Sequence, residues 1–156
     1  MMTATYYIEV PKKLKVNEIE MMMELEKDAF PGLGAVDEQC LVPLTRYGKM
    51  VWFKEEGDDR PIAVGELMRN FDNPDEAYVF GYYVRSDQQG KGIGKKFLVE
   101  LLDYIQQQGF HYVTLTVNIE NLAAIKLYEA FGFEIVETRE NEFGKDEHRY
   151  CMKKKF

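Results

Sequence analysis

Histidine and cysteine are nearly missing from this chain, with two of each in 156 residues. His111 and His148 stand isolated, and Cys40 and Cys151 lie far apart in no paired motif. That scarcity argues against a His/Cys metal centre, so no metal is expected, and against a Cys-His nucleophile. It predicts free thiols in a reducing cytoplasm. Positive charge is also short: 20 Lys and Arg face 27 Asp and Glu, a net charge of −7. A general nucleic-acid partner, which needs a basic face, is therefore not expected. No apolar run approaches the roughly 20 residues needed to span a membrane. The start, Met-Met-Thr-Ala-Thr, lacks the basic-then-apolar order of a signal peptide. Repeats, low-complexity segments and linkers are absent too. What remains has the length for a real core, and the reading is one domain over residues 1–156.

The most informative stretch present is Gln89-Gly90-Lys91-Gly92-Ile93-Gly94. It follows an apolar run, Ala77 to Val84, that reads as a buried strand. It precedes an amphipathic run, Ile93 to Ile105, that reads as a helix. A glycine turn feeding a helix start leaves backbone N–H groups unpaired and open to an anion. The plainer alternative, glycines that only shape the turn, stays open at this point. Two nucleotide motifs fail on spacing. A P-loop needs four residues between its first glycine and Gly-Lys-Ser/Thr, but only three separate Gly90 from Gly94, and Lys96 follows Lys95. A dinucleotide fingerprint needs a third glycine where Lys95 or Phe97 stands.

Elsewhere the periodicity predicts a strand over Thr5–Val10 and a helix over Val16–Phe30, capped by Asn17 and stopped at Pro31-Gly32. The methionines at 21–23 read as core packing. A second helix is expected over Val36–Tyr47, interrupted at Pro43. Met50–Lys54 and Ile62–Met68 read as strands joined by the polar turn at 56–59. Gly109 closes the helix after the loop, and Tyr112–Val117 is the next strand, parallel to Ala77–Val84 by the strand-helix-strand rule. Asn121 caps a helix running to Phe131, with Gly132 behind it. Phe133–Thr138 and Arg149–Lys153 close the chain as a hairpin. The fold class is thus α/β with a mixed sheet, antiparallel first and parallel at its centre, with flanking helices.

On the Asn121 helix, Ala124, Leu127, Tyr128 and Phe131 share one face. Tyr128 reads either as a core tyrosine or as a phenol aimed at the cleft of the glycine loop. With these residues in view, the chain resembles the GCN5-related N-acetyltransferases (GNAT). Their central signature is Gln/Arg-x-x-Gly-x-Gly/Ala, here Gln89, Gly92 and Gly94. Their later signature is an Asn before a helix, then Ala, Leu-Tyr and Phe-Gly-Phe, here Asn121, Ala124, Leu127-Tyr128 and Phe131-Gly132-Phe133. The likeness covers residues 50–138, and the N-terminal helices only by order of elements.

The resemblance implies the acyl-CoA N-acyltransferase fold, with a splayed parallel central pair of strands. It implies acetyl-CoA as cosubstrate and an amine acceptor, a small molecule or a protein amine, attacked in a ternary complex. The loop residues Gln89, Gly90, Lys91, Gly92, Ile93, Gly94 and Lys95 would hold the pyrophosphate. Tyr82, Tyr83 and Val84 would pair through their backbone with the pantetheine arm, and Asn121 and Tyr128 would also meet the coenzyme. Residues 84–96 carry Arg85, Lys91, Lys95 and Lys96 against Asp87, a local excess opposed to the global sign. Gly81 in the preceding strand suits a bulge. The amide near Tyr83 would serve the oxyanion, and Tyr128 would serve the leaving thiolate.

A lysine-like amine costs about 4.6 kcal/mol to deprotonate at pH 7, so a base is needed. Glu66 is the candidate, its alternative being an exposed strand glutamate. Glu26, Asp28 or a water relay are the other options. A catalytically silent acyl-CoA-binding module, or an acyltransferase using another acyl-CoA, are the competing functions. Dimerisation through the C-terminal strands stays open.

Overall fold

The computed structural model describes residues 3–32 and 34–156; the two opening methionines of the N-terminal reading and Leu33 lie outside that range. In chain order the elements are β1 (Tyr6–Glu9), α1 (Val16–Ala29), α2 (Glu38–Tyr47), β2 (Lys49–Glu55), β3 (Ala63–Arg69) and β4 (Glu76–Val84). They continue with α3 (Ile93–Gln107), β5 (Tyr112–Asn118), α4 (Leu122–Ala130), β6 (Glu134–Arg139) and β7 (Arg149–Lys155). The strands form a mixed seven-stranded sheet in the order β1-β2-β3-β4-β5-β7-β6. β4 and β5 are its parallel pair, in register from Glu76 opposite Tyr112 to Val79 opposite Leu115. β4 itself runs on to Val84. Strand β7 enters between β5 and β6, antiparallel to both.

The chain gathers into two compact units, one of residues 1–68 and 80–103, the other of 69–79 and 104–156. In the first, Met22 and Leu25 of α1, Leu41 of α2, Met50 and Trp52 of β2, Val64 of β3 and Tyr83 of β4 make one buried cluster. The methionine run is core packing as its spacing predicts: Met22 is fully buried, and Met21 and Met23 pack against the cluster. Phe97 on α3 is stacked between Phe53 at 5.1 Å and Tyr82 at 5.4 Å. Gly65 gives the face of β3 room for Phe97 and Leu101.

The second unit is organised by β7. Val113, Leu115, Val117 and Met152 are buried along the β5–β7 ladder. Lys153 bonds Glu76 at 3.0 Å and lies over the Tyr112 ring at 4.5 Å. Ile125 and Tyr128 form the buried face of α4.

Two local expectations are corrected. Asn17 does not cap α1: the cap is Lys15, whose N–H donates to the Glu18 carboxylate at 2.8 Å. Asn17 falls inside the first turn, because the helix begins one residue before it. Nor does Pro43 interrupt α2, which runs unbroken from the Asp37 cap to Tyr47. Proline there forfeits one amide bond, to Gln39, in a helix whose buried Leu41, Leu44 and Thr45 hold it in place.

Candidate active site

The glycine loop is built in the first unit. Gly90 and Gly92 have φ of +78° and +76°, the left-handed region that favours glycine. A Cβ at either would meet nothing within 4 Å, so backbone conformation, not crowding, demands glycine. Gly94 has ordinary φ, and a Cβ there would stand 3.7 Å from Val84. Helix α3 opens directly from the loop at Ile93, so its first amides have no acceptor within the helix. The cradle is braced from behind. Gln89 Nε2 donates to the Val84 carbonyl at 3.3 Å, and the Tyr82 hydroxyl donates to the Gly94 carbonyl. Ser86 donates through its N–H and Oγ to Asp28 at the end of α1, at 2.9 and 2.6 Å.

The positive charge around the loop is narrower than its sequence suggests. Arg85 is buried and held by Asp87 at 2.6 Å and Asp58 at 2.9 Å, and it donates to the Pro61 carbonyl at 3.2 Å. It is a brace rather than an anion ligand. Lys96 lies over the Tyr6 ring at 5.0 Å. Lys91 reaches back to Gln88 at 3.4 Å. Lys91, Lys95 and Lys96 are all exposed, Lys96 at the Tyr6 ring.

Glu66 is not an exposed strand glutamate: it is 1% exposed, on β3. Its carboxyl bonds that of Glu26, which is also 1% exposed, and the Tyr83 hydroxyl lies beside Glu26 without a full hydrogen bond to it. Glu26 Oε1, Glu66 Oε2 and Tyr83 Oη have no partner among the described residues. Burial, opposed only in part by the contacts with Glu66 and Tyr83, raises the Glu26 pKa. Burial and then Glu26 itself hold Glu66 well above the carboxylate range. Tyr83 is pushed up by burial and by the same carboxyls, so it stays a neutral phenol. Asp28 goes the other way, its pKa lowered by the two Ser86 bonds, which makes it a latch and a poor base.

The second unit holds Asn121 and Tyr128. Asn121 caps α4 as its position predicts, its side chain accepting from the Ala124 N–H at 3.2 Å. Tyr128 is buried about two turns later and tilts against Phe133, ring centres 5.7 Å apart. Burial pushes its phenol up to about 12. The described residues hold no cluster of three or more His, Cys, Asp or Glu suited to a metal. No helix among them is long and apolar enough to cross a membrane.

Residues 19–133 match the model of the Acetyltransferase (GNAT) family, most of the chain and both signatures. The chain belongs to that family. Its sequence is 38% identical over 69 residues to the [ribosomal protein bS18]-alanine N-acetyltransferase of Escherichia coli K12, covering 44% of this chain and 47% of that protein. It is 34% identical over 95 residues to an L-methionine sulfoximine/L-methionine sulfone acetyltransferase of Pseudomonas paraeruginosa, covering 61% of this chain and 50% of the relative. The matches thus span about half the length of these curated relatives. In fold, the crystal structure of the E. coli ribosomal-protein-S18-alanine N-acetyltransferase superposes with a TM-score of 0.77 at 24% identity, over 97% of this chain and 94% of that one. The family's mixed sheet with a parallel β4–β5 pair is the one found here.

Sequence reasoning paired no residue with Glu66 and passed over Ser86. Gly81 was the available signal: a glycine inside an apolar strand marks a close approach. That approach is the Glu66 carboxyl, whose Oε1 occupies the place a Cβ on Gly81 would take.

Proposed function

We propose that this chain moves an acetyl group from acetyl-CoA to a primary amine by direct attack in a ternary complex. The observation that carries the reading is the braced glycine loop opening α3, with Gly90 and Gly92 in left-handed conformation. Such a loop presents backbone N–H groups and a helix start to an anion. It suits the coenzyme's pyrophosphate, with Lys91 and Lys95 at its mouth. Bound there, the coenzyme supplies a thioester, an acyl donor activated by its thiol leaving group. In this reading Tyr82, Tyr83 and Val84 offer backbone groups to its arm beyond the end of the parallel ladder, and the Tyr83 N–H is assigned as the oxyanion donor. Asn121 offers its amide besides capping α4.

Tyr128 is assigned to the leaving sulfur. A phenol near 12 giving its proton to a thiolate near 8.5 is uphill by about 5 kcal/mol. Its role in this reading is a hydrogen bond to the developing thiolate, with full proton transfer from another source. Glu66 is assigned as the base that frees the amine.

The relatives named above act on an alanine of a ribosomal protein and on amino-acid derivatives. Both fit a primary amine as acceptor, and we extend that class to this chain. The free thiols Cys40 and Cys151 support a reducing, cytoplasmic setting. Retention of the loop and of Tyr128 weighs against a silent binding module. Thiol release from acetyl-CoA, measured with and without a panel of peptide N-termini and amino-acid amines, tests the reading. Amine-dependent release is expected; coenzyme binding with no release to any amine would favour the silent module.

A further inference from the structure

We infer that Glu26 and Glu66 act as one acid–base unit that holds a single proton between them, and that Gly81 is the positioning residue that lets the unit form. The inference rests on the acetyltransferase reading for its purpose, but not for its geometry. The two carboxyls come from different elements, α1 and β3, and bond each other in the buried core of the first unit. Neither makes an ion pair among the described residues. Among the described residues, the titratable groups that act with them are neutral or anionic: Tyr83 from β4, Cys40 from α2, and Asp28 further along α1. From β2 the neighbour opposite Glu66 is Met50, which carries no charge.

Two carboxylates in contact, buried, without a cation, cannot both stay ionised. One proton shared between them removes the repulsion and leaves a single negative charge. Both carboxyls are more basic than ordinary ones, as general bases working near neutral pH must be. The unit takes a second proton from the acceptor's ammonium, which becomes a neutral amine while the unit becomes neutral. It returns that proton to solvent after turnover. The orphaned oxygens Glu26 Oε1 and Glu66 Oε2 and the Tyr83 hydroxyl are the sites along which the proton enters and leaves.

Gly81 has its part because Glu66 Oε1 fills the place of a side chain on β4. A methyl there collides with the carboxyl itself and would force Glu66 out of its present position.

Infrared difference spectra of the coenzyme-free protein at neutral pD test the shared proton without any substrate. A neutral-carboxyl band is expected in the wild type, shifted in frequency or lost in Glu26→Gln and in Glu66→Gln alike, and shifted or lost in Gly81→Ala. If one variant fails to fold, either of the others reads the same band. No such band in the wild type, or one left unchanged by both Glu→Gln changes, overturns the unit. In turnover, each Glu→Gln change should lower kcat/KM for the amine about a hundredfold and remove its rise with pH. The double variant should fall no further than the weaker single variant, because the pair works as one group. Losses that multiply overturn the inference. Absence of transfer by the wild type to every amine would defeat the acetyltransferase reading alone, and the infrared band would still decide the pair.

Discussion

Asp28, at the end of α1, accepts two hydrogen bonds from Ser86, through its N–H at 2.9 Å and its hydroxyl at 2.6 Å. Ser86 opens the 3₁₀ turn that leads from β4 into the glycine loop. The helix that carries Glu26 therefore also latches the turn that leads into the glycine loop. Ser86→Ala should raise the acetyl-CoA KM several-fold and leave kcat near wild type, as steady-state kinetics can show. The Ser86 bonds lower the Asp28 pKa, so the latch's stabilisation is full above the ordinary value of 3.8 and fades as pH falls through the lower folded value. At neutral pH it is closed. An unchanged KM would mean the loop holds its shape without the latch.

Gly92→Ala and Gly94→Ala should part company. At Gly92, φ of +76° costs an alanine about 1–2 kcal/mol of backbone strain unless the loop rearranges. At Gly94 the backbone is ordinary and the nearest atom to a new Cβ is 3.7 Å away. Calorimetric titration with coenzyme A should show a clear loss of affinity for Gly92→Ala and a smaller one for Gly94→Ala. Equal effects would transfer the argument from loop shape to crowding.

Tyr128→Phe should lower kcat about a hundredfold or more while the acetyl-CoA KM changes little. A phenol pushed up to about 12 is a neutral donor across the working range, so no step in the kcat profile near neutral pH should belong to it. Turnover equal to wild type would remove Tyr128 from the chemistry and return it to core packing against Phe133.

The carboxyl pair also sets a pH dependence of stability. Glu26 and Glu66 bind protons more tightly folded than unfolded. Their favourable contribution is complete below the ordinary value of 4.5 and is lost as pH rises through the raised folded values. Tm should therefore fall by several degrees as pH rises above the ordinary carboxyl value of 4.5. Glu26→Gln/Glu66→Gln should flatten that slope. A wild-type Tm that rises above that value would contradict the pair's buried, uncompensated state.

Phe97→Ala tests the link from core to loop. The ring is fully buried between Phe53 and Tyr82, so its loss should cost about 3–5 kcal/mol in urea unfolding. Tyr82 would lose its stacking partner while it bonds the Gly94 carbonyl, so coenzyme affinity should fall as well. A purely global effect, with affinity intact, would separate the two.

The sequence by itself determined the elements and the glycine loop that opens α3. Its signals there are local: glycines at fixed spacing between an apolar run and an amphipathic one, and Asn121 before a helix ended by Gly132, which has φ of +90°. Local backbone chemistry is written in neighbouring residues, and so it reads directly. Tertiary structure alone decided three things. It inserted β7 between β5 and β6, a pairing between distant strands. It consumed Arg85 in ion pairs with Asp58 and Asp87, leaving the loop fewer free cations than its composition suggests. It also set Glu26 of α1 against Glu66 of β3, 40 positions along the chain, in a space kept open by Gly81. A glutamate's pKa depends on what surrounds it in space, and no spacing rule in one sequence records that neighbour.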